Sequence, residues 1–194
     1  ITGAARTAIG SLSGGLSDLP APRIGAVAIA EAVSRSGIRK EDVEQVIMGN
    51  VLSAGVGQAP ARQAGIYAGI PVSAGALTIN KMCGSGLKSV MLAAQSVATE
   101  EFEVVVAGGM DSMSQAPYLL KKARTGYRLG NDTIYDHMII DGLWDVYSNL
   151  HMGMCGDRCA ERYQFSRQEQ DDFAVASYQR ARQAFGVLFG EYWR

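Results

Sequence analysis

Asn80 to Val90 reads Asn-Lys-Met-Cys-Gly-Ser-Gly-Leu-Lys-Ser-Val, a pattern typical of a strand end, a tight turn carrying one cysteine, and a helix start. The β-prone apolar residues 76–79 come directly before it. Apolar residues then recur at the spacing of one helical face, namely Leu87, Val90, Met91, Ala94 and Ala98. We therefore predict that Cys83 lies at, or just before, a helix N-terminus.

Cys83 has the local surroundings of a nucleophile. Unpaired backbone N–H groups and the positive end of the helix dipole favour a thiolate, which is the reactive form of cysteine. Gly84, Ser85 and Gly86 add no bulk beyond a hydroxymethyl group, so a substrate carbonyl could approach the sulfur and the backbone donors together. This arrangement suits acyl transfer. The alternative is a structural cysteine, since free cysteines usually pack as small buried hydrophobic residues.

Length and composition limit the class of protein. The chain has 194 residues, of which 47% are apolar and 19% charged, as expected for a globular protein with a sizeable core. The net charge of −1 argues against nucleic acid as a partner, because neutralising phosphates needs a basic excess. No apolar run approaches a membrane span. Three cysteines predict reduced thiols rather than a disulfide framework, and we expect a cytoplasmic protein.

The order of the predicted elements indicates an α/β fold. Strand candidates near Ile47, Ile79 and Val105 are separated by helical patterns, as in βαβ units with a parallel sheet. The continuous apolar run at residues 104–107 predicts a strand buried on both faces. Parallel sheets place their chemistry in the loops that follow the carboxyl ends of the strands, and Cys83 occupies one of these loops.

The remaining elements of the first half follow from local signals. We interpret residues 1–10 as a first strand whose front is missing, because the chain starts abruptly in apolar sequence. A helix is predicted from Pro22 to Ser36, with a stop at Gly37. A short helix is predicted over residues 61–68.

Several segments of this chain resemble one family. Residues 80–88 closely resemble the nucleophile motif of thiolases, and specifically of the biosynthetic acetyl-CoA acetyltransferase branch. Other resembling segments are Ala4-Ala5-Arg6-Thr7, Gly108-Gly109-Met110-Asp111-Ser112-Met113-Ser114, Asp141-Gly142-Leu143, His151-Met152-Gly153 and Gln170 to Ser177. The resemblance covers the chain up to about residue 184.

The resemblance implies a fold and a domain organisation. The implied fold is the N-terminal half of the thiolase fold, a five-layer αβαβα arrangement in which βαβ units form a mixed, mainly parallel sheet. By the same resemblance, residues 1–118 form an incomplete N-terminal thiolase domain and residues 119–194 a partial loop domain. Thiolases are longer chains, so part of the sheet that covers the nucleophile's helix would lie elsewhere and apolar surface would be left uncovered.

The resemblance also implies a function. Two molecules of acetyl-CoA are condensed to acetoacetyl-CoA, or the reverse thiolysis occurs, through an acyl-cysteine intermediate on Cys83. Leu143, His151 and Met152 would line the acyl and pantetheine pocket. Coenzyme A thioesters are the substrates, no cofactor or metal is implied, and the full-length protein is expected to be a homo-oligomer, either a tetramer or a dimer.

The chain lacks other catalytic segments of thiolases. The family uses a histidine in a Gly-His-Pro segment, a later cysteine in a glycine-rich segment and an asparagine that holds an oxyanion-hole water, and none of these segments occurs here. We therefore expect this chain alone to be inactive. Two further interpretations are a ketoacyl-synthase-like condensing enzyme and a non-catalytic thiolase-like binding or assembly subunit.

Other patterns have simpler interpretations. A basic cluster at residues 121–128 is a solvated loop by composition, or, by the resemblance, the start of the loop domain that presents cations near substrate phosphates. His151, Cys155 and Cys159 are residue types that bind metal ions. On one helix, however, His151 and Cys159 would be about 12 Å apart, which is too far for both to bind one tetrahedral ion. The two cysteines are better explained as packing residues.

Two patterns concern local structure. Ser166 and Glu169 form a capping box that predicts a helix start. Gly55 to Pro60 only partly matches a dinucleotide-binding fingerprint, because it ends in proline and opens no convincing helix. The sequence after Gly186 does not continue the family pattern.

Overall fold

The computed structural model describes the backbone of residues 1–190 and the side chains up to residue 184. The chain forms two compact units, Ile1–Leu143 and Trp144–Arg194. The predicted boundary between residues 118 and 119 concerns the family's domains, and it stays a prediction. The atypical segment predicted after Gly186 lies outside the residues whose side chains are described.

A parallel three-stranded sheet forms the centre of the first unit. Its strands are β1 (Gln45–Gly49), β2 (Gly75–Ile79) and β3 (Val105–Gly109), in the order β2-β1-β3. The carboxyl-terminal residue Gly49 of β1 is in register with Ile79 on one side and with Gly109 on the other. The predicted strands and their parallel pairing are confirmed.

Three helices connect these strands or precede them. They are α1 (Ala21–Ser36), α2 (Pro60–Tyr67) and α3 (Ser85–Ala98). Both α1 and α2 carry proline in the first turn, where its missing N–H costs no helical hydrogen bond. Gly37 ends α1 in the left-handed conformation, with φ of 71°, as the sequence predicts.

The remaining elements of this unit are short. A 3-10 helix spans Lys40–Asp42, another spans Met113–Gln115, and a π-helical turn spans Ile139–Leu143. Strands β4 (Tyr118–Leu119) and β5 (Tyr135–Asp136) form an antiparallel pair.

The core lies on one side of β1. Val46 and Met48 point from this strand into a cluster of buried residues from α1, α2 and the adjoining loops. Because side chains alternate along a strand, Ile47 and Gly49 face the other side, toward α3. Four of the five residues of β1 are buried, which makes it the most enclosed strand.

Two predictions about this unit are wrong. The run at residues 104–107 is not buried on both faces: β3 is an edge of the sheet, and Val105 to Gly108 are only partly buried. Residues 1–10 form no strand. This segment lies against α1 instead, where the backbone of Gly3 is so close to the Ala32 carbonyl that a side chain could not fit.

The second unit is built from a hairpin and two helices. Strands β6 (Trp144–Asp145) and β7 (Leu150–His151) pair antiparallel, and α4 (Met152–Arg162) and α5 (Arg167–Gly190) follow. The predicted capping box is confirmed, since Ser166 N–H donates to Glu169 Oε2 at 2.8 Å and Glu169 N–H donates back to Ser166 Oγ at 3.2 Å. None of the helices within residues 1–190 has the length and apolar character that crossing a membrane requires.

Candidate active site

Cys83 lies in the turn between β2 and α3. Gly84 is the N-cap of α3 and Ser85 its first residue, so the predicted position of Cys83 just before a helix N-terminus is confirmed. The side chain of Cys83 is exposed, unlike that of a buried structural cysteine. The backbone N–H of Cys83 donates to no acceptor within residues 1–190. A thioester carbonyl could therefore reach the sulfur from solvent, and the same residue supplies an N–H without an acceptor among the described residues as a candidate oxyanion donor.

Side-chain hydrogen bonds hold the turn in shape. Asn80 Oδ1 accepts the N–H of Met82 at 2.9 Å. The hydroxyl of Ser85 accepts the N–H of Lys81 at 2.8 Å and donates to the carbonyl of Met82 at 2.6 Å. Met82, directly before Cys83, has φ of 48°, the left-handed conformation that L-residues rarely adopt.

Glycines let the start of α3 approach the ends of the strands closely. A Cβ atom on Gly49, at the end of β1, would lie 2.5 Å from Ser85 Cβ and 2.9 Å from the backbone nitrogen of Gly86. A Cβ atom on Gly109, at the end of β3, would lie 3.1 Å from Gly86 Cα. The backbone at the start of α3 therefore packs directly on the backbone at the ends of β1 and β3, and this contact fixes the position of the Cys83 turn relative to the sheet.

The two buried residues of α3 are the serines Ser85 and Ser89. Ser89 is fully buried, and its hydroxyl lies 2.6 Å from the carbonyls of both Gly86 and Gly108, which joins the second turn of α3 to β3. The apolar face found by spacing points away from the sheet, with Leu87 70% and Met91 50% exposed. Uncovered apolar surface was predicted for this helix, but the serine face toward the sheet was not.

A second polar cluster, absent from the sequence predictions, lies at the carboxyl ends of strands β1 and β3. Asn50, only 2% exposed, donates through Nδ2 to the carbonyl of Met110 and to Asp111 Oδ1, both at 2.9 Å. Asp111 Oδ1 also accepts the N–H groups of Val51 and Leu52. Burial raises the pKa of Asp111, although these hydrogen bonds oppose the shift. Polar residues directly after β1 and β3 were the available signal.

His137 is another residue that sequence reasoning missed. It is 4% exposed, and its Nδ1 lies 2.6 Å from Asp141 Oδ2, while Nε2 accepts the N–H of Ala54 at 3.3 Å. Its own backbone N–H donates to the carbonyl of Pro117. The residue thus joins three segments of the first unit. The (i, i+4) spacing of His137 and Asp141 was the only signal in the sequence.

The predicted pocket residues fall in both units. Leu143 is half-buried at the end of the first unit. His151 is the N-cap of α4 in the second unit, where its Nδ1 accepts the N–H of Gly153 at 3.0 Å. Met152 follows as the first residue of α4 and is 43% exposed. Their roles, and that of Cys83, stay predictions.

The possible metal ligands do not form a cluster. Within the described part of the chain, no three His, Cys, Asp or Glu side chains lie close enough together to hold a metal ion. His151 precedes α4, whereas Cys155 and Cys159 lie on it. Cys155 is half-buried, but Cys159 is exposed, so the prediction that both cysteines are packing residues is wrong for Cys159.

The basic cluster at residues 121–128 lies in exposed, irregular backbone. Lys122 pairs with Asp132 at 2.7 Å, and Lys121 lies over the ring of Tyr135, 4.1 Å from its centroid. The interpretation as a solvated loop agrees with this exposure.

Comparison with known proteins gives consistent matches. Residues 1–187 match the family described as thiolase, N-terminal domain. The chain is 52% identical over 184 residues to an acetyl-CoA acetyltransferase of Cupriavidus necator, covering 95% of this chain and 47% of that protein. It is 51% identical to the mitochondrial acetyl-CoA acetyltransferase A of Xenopus laevis, covering 98% of this chain and 46% of the relative. The chain thus spans about half the length of the curated relatives that it matches.

A solved structure supports the same relationship. The Acat5 thiolase from Ascaris suum, crystallised in complex with coenzyme A, superimposes with a TM-score of 0.92 at 37% sequence identity. The match covers 96% of this chain and 48% of that chain. The α/β fold predicted from the sequence, that of the N-terminal half of a thiolase, is therefore confirmed. The chain belongs to the thiolase family.

Proposed function

We propose that the whole protein is an acetyl-CoA C-acetyltransferase, in which Cys83 carries the acyl group. One observation carries this proposal: Cys83 is exposed at the N-terminus of α3, on a turn held by partly buried hydrogen bonds of the Ser85 hydroxyl. The names of the relatives and the coenzyme A complex of the Ascaris suum thiolase support coenzyme A thioesters as substrates.

The reaction would proceed in two covalent steps. The Cys83 thiolate attacks the thioester carbonyl of acetyl-CoA, so that a new carbon–sulfur bond forms and the bond from the carbonyl carbon to the coenzyme A sulfur breaks. Coenzyme A leaves as a thiolate and becomes the thiol when an acid donates a proton to it. A second acetyl-CoA loses an α-proton to a base, and its carbanion attacks the acetyl group on Cys83. Acetoacetyl-CoA forms and the Cys83 thiolate is released. The reverse sequence is thiolysis of acetoacetyl-CoA.

The N-terminus of α3 would stabilise the oxyanion that forms in each step. The unoccupied N–H of Cys83 is the donor available in this chain. Because removing one oxyanion donor costs about 100-fold to 1000-fold in rate, this chain alone would not complete the condensation efficiently. The base and the further donor would come from the segments that thiolases carry and this sequence lacks.

The second unit would bind the pantetheine and acyl portion of the substrate. His151 begins α4 with Nδ1 occupied by the Gly153 N–H, which leaves Nε2 for a ligand. Met152, the next residue in the chain, offers an exposed thioether. We propose no metal and no prosthetic group, since the chemistry needs only the cysteine sulfur and the thioester.

We further propose a homo-oligomer and a cytoplasmic location. Strand β2 is an edge of the sheet, so its outer row of backbone N–H and C=O groups is available to pair with a strand of another copy. Its residue Leu77 is 43% exposed there. The three free cysteines fit a reducing compartment.

The acetyl adduct on Cys83 tests this function. The whole protein is incubated with acetyl-CoA and digested, and the peptides that contain Cys83, Cys155 and Cys159 are analysed by mass spectrometry. We expect acetylation of Cys83 and none of Cys155 or Cys159, and no adduct in Cys83→Ser. With limiting iodoacetamide, Cys83 should be alkylated first, and acetyl-CoA should protect it. Equal labelling of the three cysteines would contradict the proposal.

The same experiment separates the two alternatives. Transfer from an acyl carrier protein but not from acetyl-CoA would indicate a ketoacyl-synthase-like enzyme. Binding of coenzyme A that is unchanged in Cys83→Ala, without any adduct in the wild type, would indicate a non-catalytic binding subunit.

A further inference from the structure

Two buried serines lie one turn apart on the face of α3 that packs on the sheet. Ser85 is 4% exposed and Ser89 is fully buried. The Ser89 hydroxyl has only carbonyls within reach, those of Gly86 and Gly108, which share its one hydrogen, and it thereby joins α3 to β3. Ser85 bonds backward to the turn that carries Cys83. The two side chains are chemically identical and similarly buried, but they hold different parts of the structure.

The hydroxyl of Ser85 is a junction within this turn. It accepts the N–H of Lys81 at 2.8 Å and donates to the carbonyl of Met82 at 2.6 Å. The N–H of Ser85 also donates to the Met82 carbonyl, at 2.9 Å. Three hydrogen bonds therefore bracket the residue directly before Cys83. Asn80 adds a fourth through the N–H of Met82.

These bonds hold Met82 in a conformation that it would not adopt freely. With φ of 48°, its Cβ is crowded against its own backbone, and a side-chain-bearing residue stays there only when the surroundings impose it. If Met82 returned to a right-handed or extended conformation, the chain direction at residue 83 would change. The sulfur would then leave its position at the N-terminus of α3.

We propose that Ser85 is a positioning residue for Cys83: its hydroxyl keeps Met82 left-handed and thereby holds the sulfur beside the helix N-terminus. This inference rests on the proposed role of Cys83 as the acyl-carrying nucleophile. Ser85 does not touch substrate. It acts through the backbone of Met82.

The test compares Ser85→Ala with Ser89→Ala. Each variant removes one buried hydroxyl from the same helix face, so a purely structural contribution should affect both alike. The measured quantities are the rate of Cys83 alkylation by iodoacetamide, with Cys155 and Cys159 as internal references, and the melting temperature. We expect both variants to melt several degrees lower. Alkylation of Cys83 should slow about tenfold in Ser85→Ala and change less than about twofold in Ser89→Ala.

A second pair of variants tests the conformation of Met82. Glycine adopts positive φ without the steric cost, so Met82→Gly should need the Ser85 hydroxyl less. We expect Ser85→Ala to slow alkylation only about twofold to threefold when it is combined with Met82→Gly, against about tenfold in the parent chain. Equal effects of Ser85→Ala with and without Met82→Gly, or equal alkylation rates in Ser85→Ala and Ser89→Ala, would overturn the inference.

The acetyl-CoA reaction distinguishes this inference from the proposed function. If Cys83 of the wild-type whole protein gains no acetyl group, the proposed function fails, while the alkylation rates still decide the role of Ser85. If Cys83 is acetylated, Ser85→Ala should lower the maximal rate of acetylation about tenfold and leave the half-saturating acetyl-CoA concentration within about twofold. A variant that changes only the half-saturating concentration would contradict positioning.

Discussion

Gly49→Ala is the substitution that most directly tests how the sheet positions Cys83. The added methyl would lie 2.5 Å from Ser85 Cβ and 2.8 Å from the Ser85 carbonyl carbon. Non-bonded carbons normally lie about 3.5–4.0 Å apart, so the start of α3 must move by about 1 Å. Overpacking of this kind costs about 1–3 kcal/mol. A displacement of about 1 Å at a reacting group can also lower the rate by about 100-fold.

Gly86→Ala is the matched control on the other side of the same contact. Its Cβ would lie 3.6 Å from the backbone nitrogen of Gly109, which is an ordinary contact. Gly109→Ala, at 3.1 Å from Gly86 Cα, should be intermediate. We therefore expect destabilisation in the order Gly49→Ala, then Gly109→Ala, with Gly86→Ala near the wild type.

Urea unfolding and Cys83 alkylation measure the two effects. Unfolding gives the change in free energy, and alkylation under native conditions reports the position of the sulfur. The reasoning is refuted if Gly49→Ala unfolds with wild-type free energy and retains wild-type alkylation. It is also refuted if Gly86→Ala is as destabilising as Gly49→Ala, because close approach would then not be the cause.

Three further predictions concern charge and exposure. Burial raises the pKa of Asp111, so its contribution to stability is present below the ordinary value of 3.8 and is lost as pH rises through the raised pKa. In Asp111→Asn, the free energy of unfolding measured with urea should depend less on pH in this range. Hydrogen bonds from the N–H and hydroxyl of Ser166 lower the pKa of Glu169. The contribution of Glu169 to stability is therefore fully present above its ordinary pKa of 4.5 and is lost as the pH falls through the lowered pKa. Ser166→Ala should move the NMR titration of Glu169 part of the way back. Leu87→Gln and Met91→Gln, at exposed positions, should change the unfolding free energy by less than about 0.5 kcal/mol and raise solubility in concentration series.

The sequence predicts the elements around Cys83 well because each has a strong local signal. Proline opens α1 and glycine closes it, the apolar runs mark the three strands, and the glycines after Cys83 mark the start of α3. Such signals depend on neighbouring residues only. They identify elements without knowledge of the rest of the fold.

The face that α3 turns to the sheet could not be predicted in the same way. Periodicity finds an apolar side, represented by Leu87 and Met91, but does not say what that side contacts. The choice depends on Gly49 and Gly109, which are distant in sequence and leave room only for small residues. Similarly, β3 is only partly buried because it lies at the edge of the sheet, and its edge position follows from the strand order, which local sequence signals do not give.

The hydrogen bond between Asn50 and Asp111 also depends on the strand order. The two residues are 61 positions apart, and they meet because β1 and β3 end side by side. One buried atom of this pair, Asn50 Oδ1, has no hydrogen-bond partner within the described residues.

The two faces of α3 are under different packing constraints. Residues directed at the sheet must stay small, because bulk there would shift the cysteine. Residues directed outward, such as Leu87 and Met91, can vary in size to suit whatever covers them, because they do not bear on the turn. Substitutions on the outward face of α3 can therefore change what binds to this helix without moving the sulfur of Cys83.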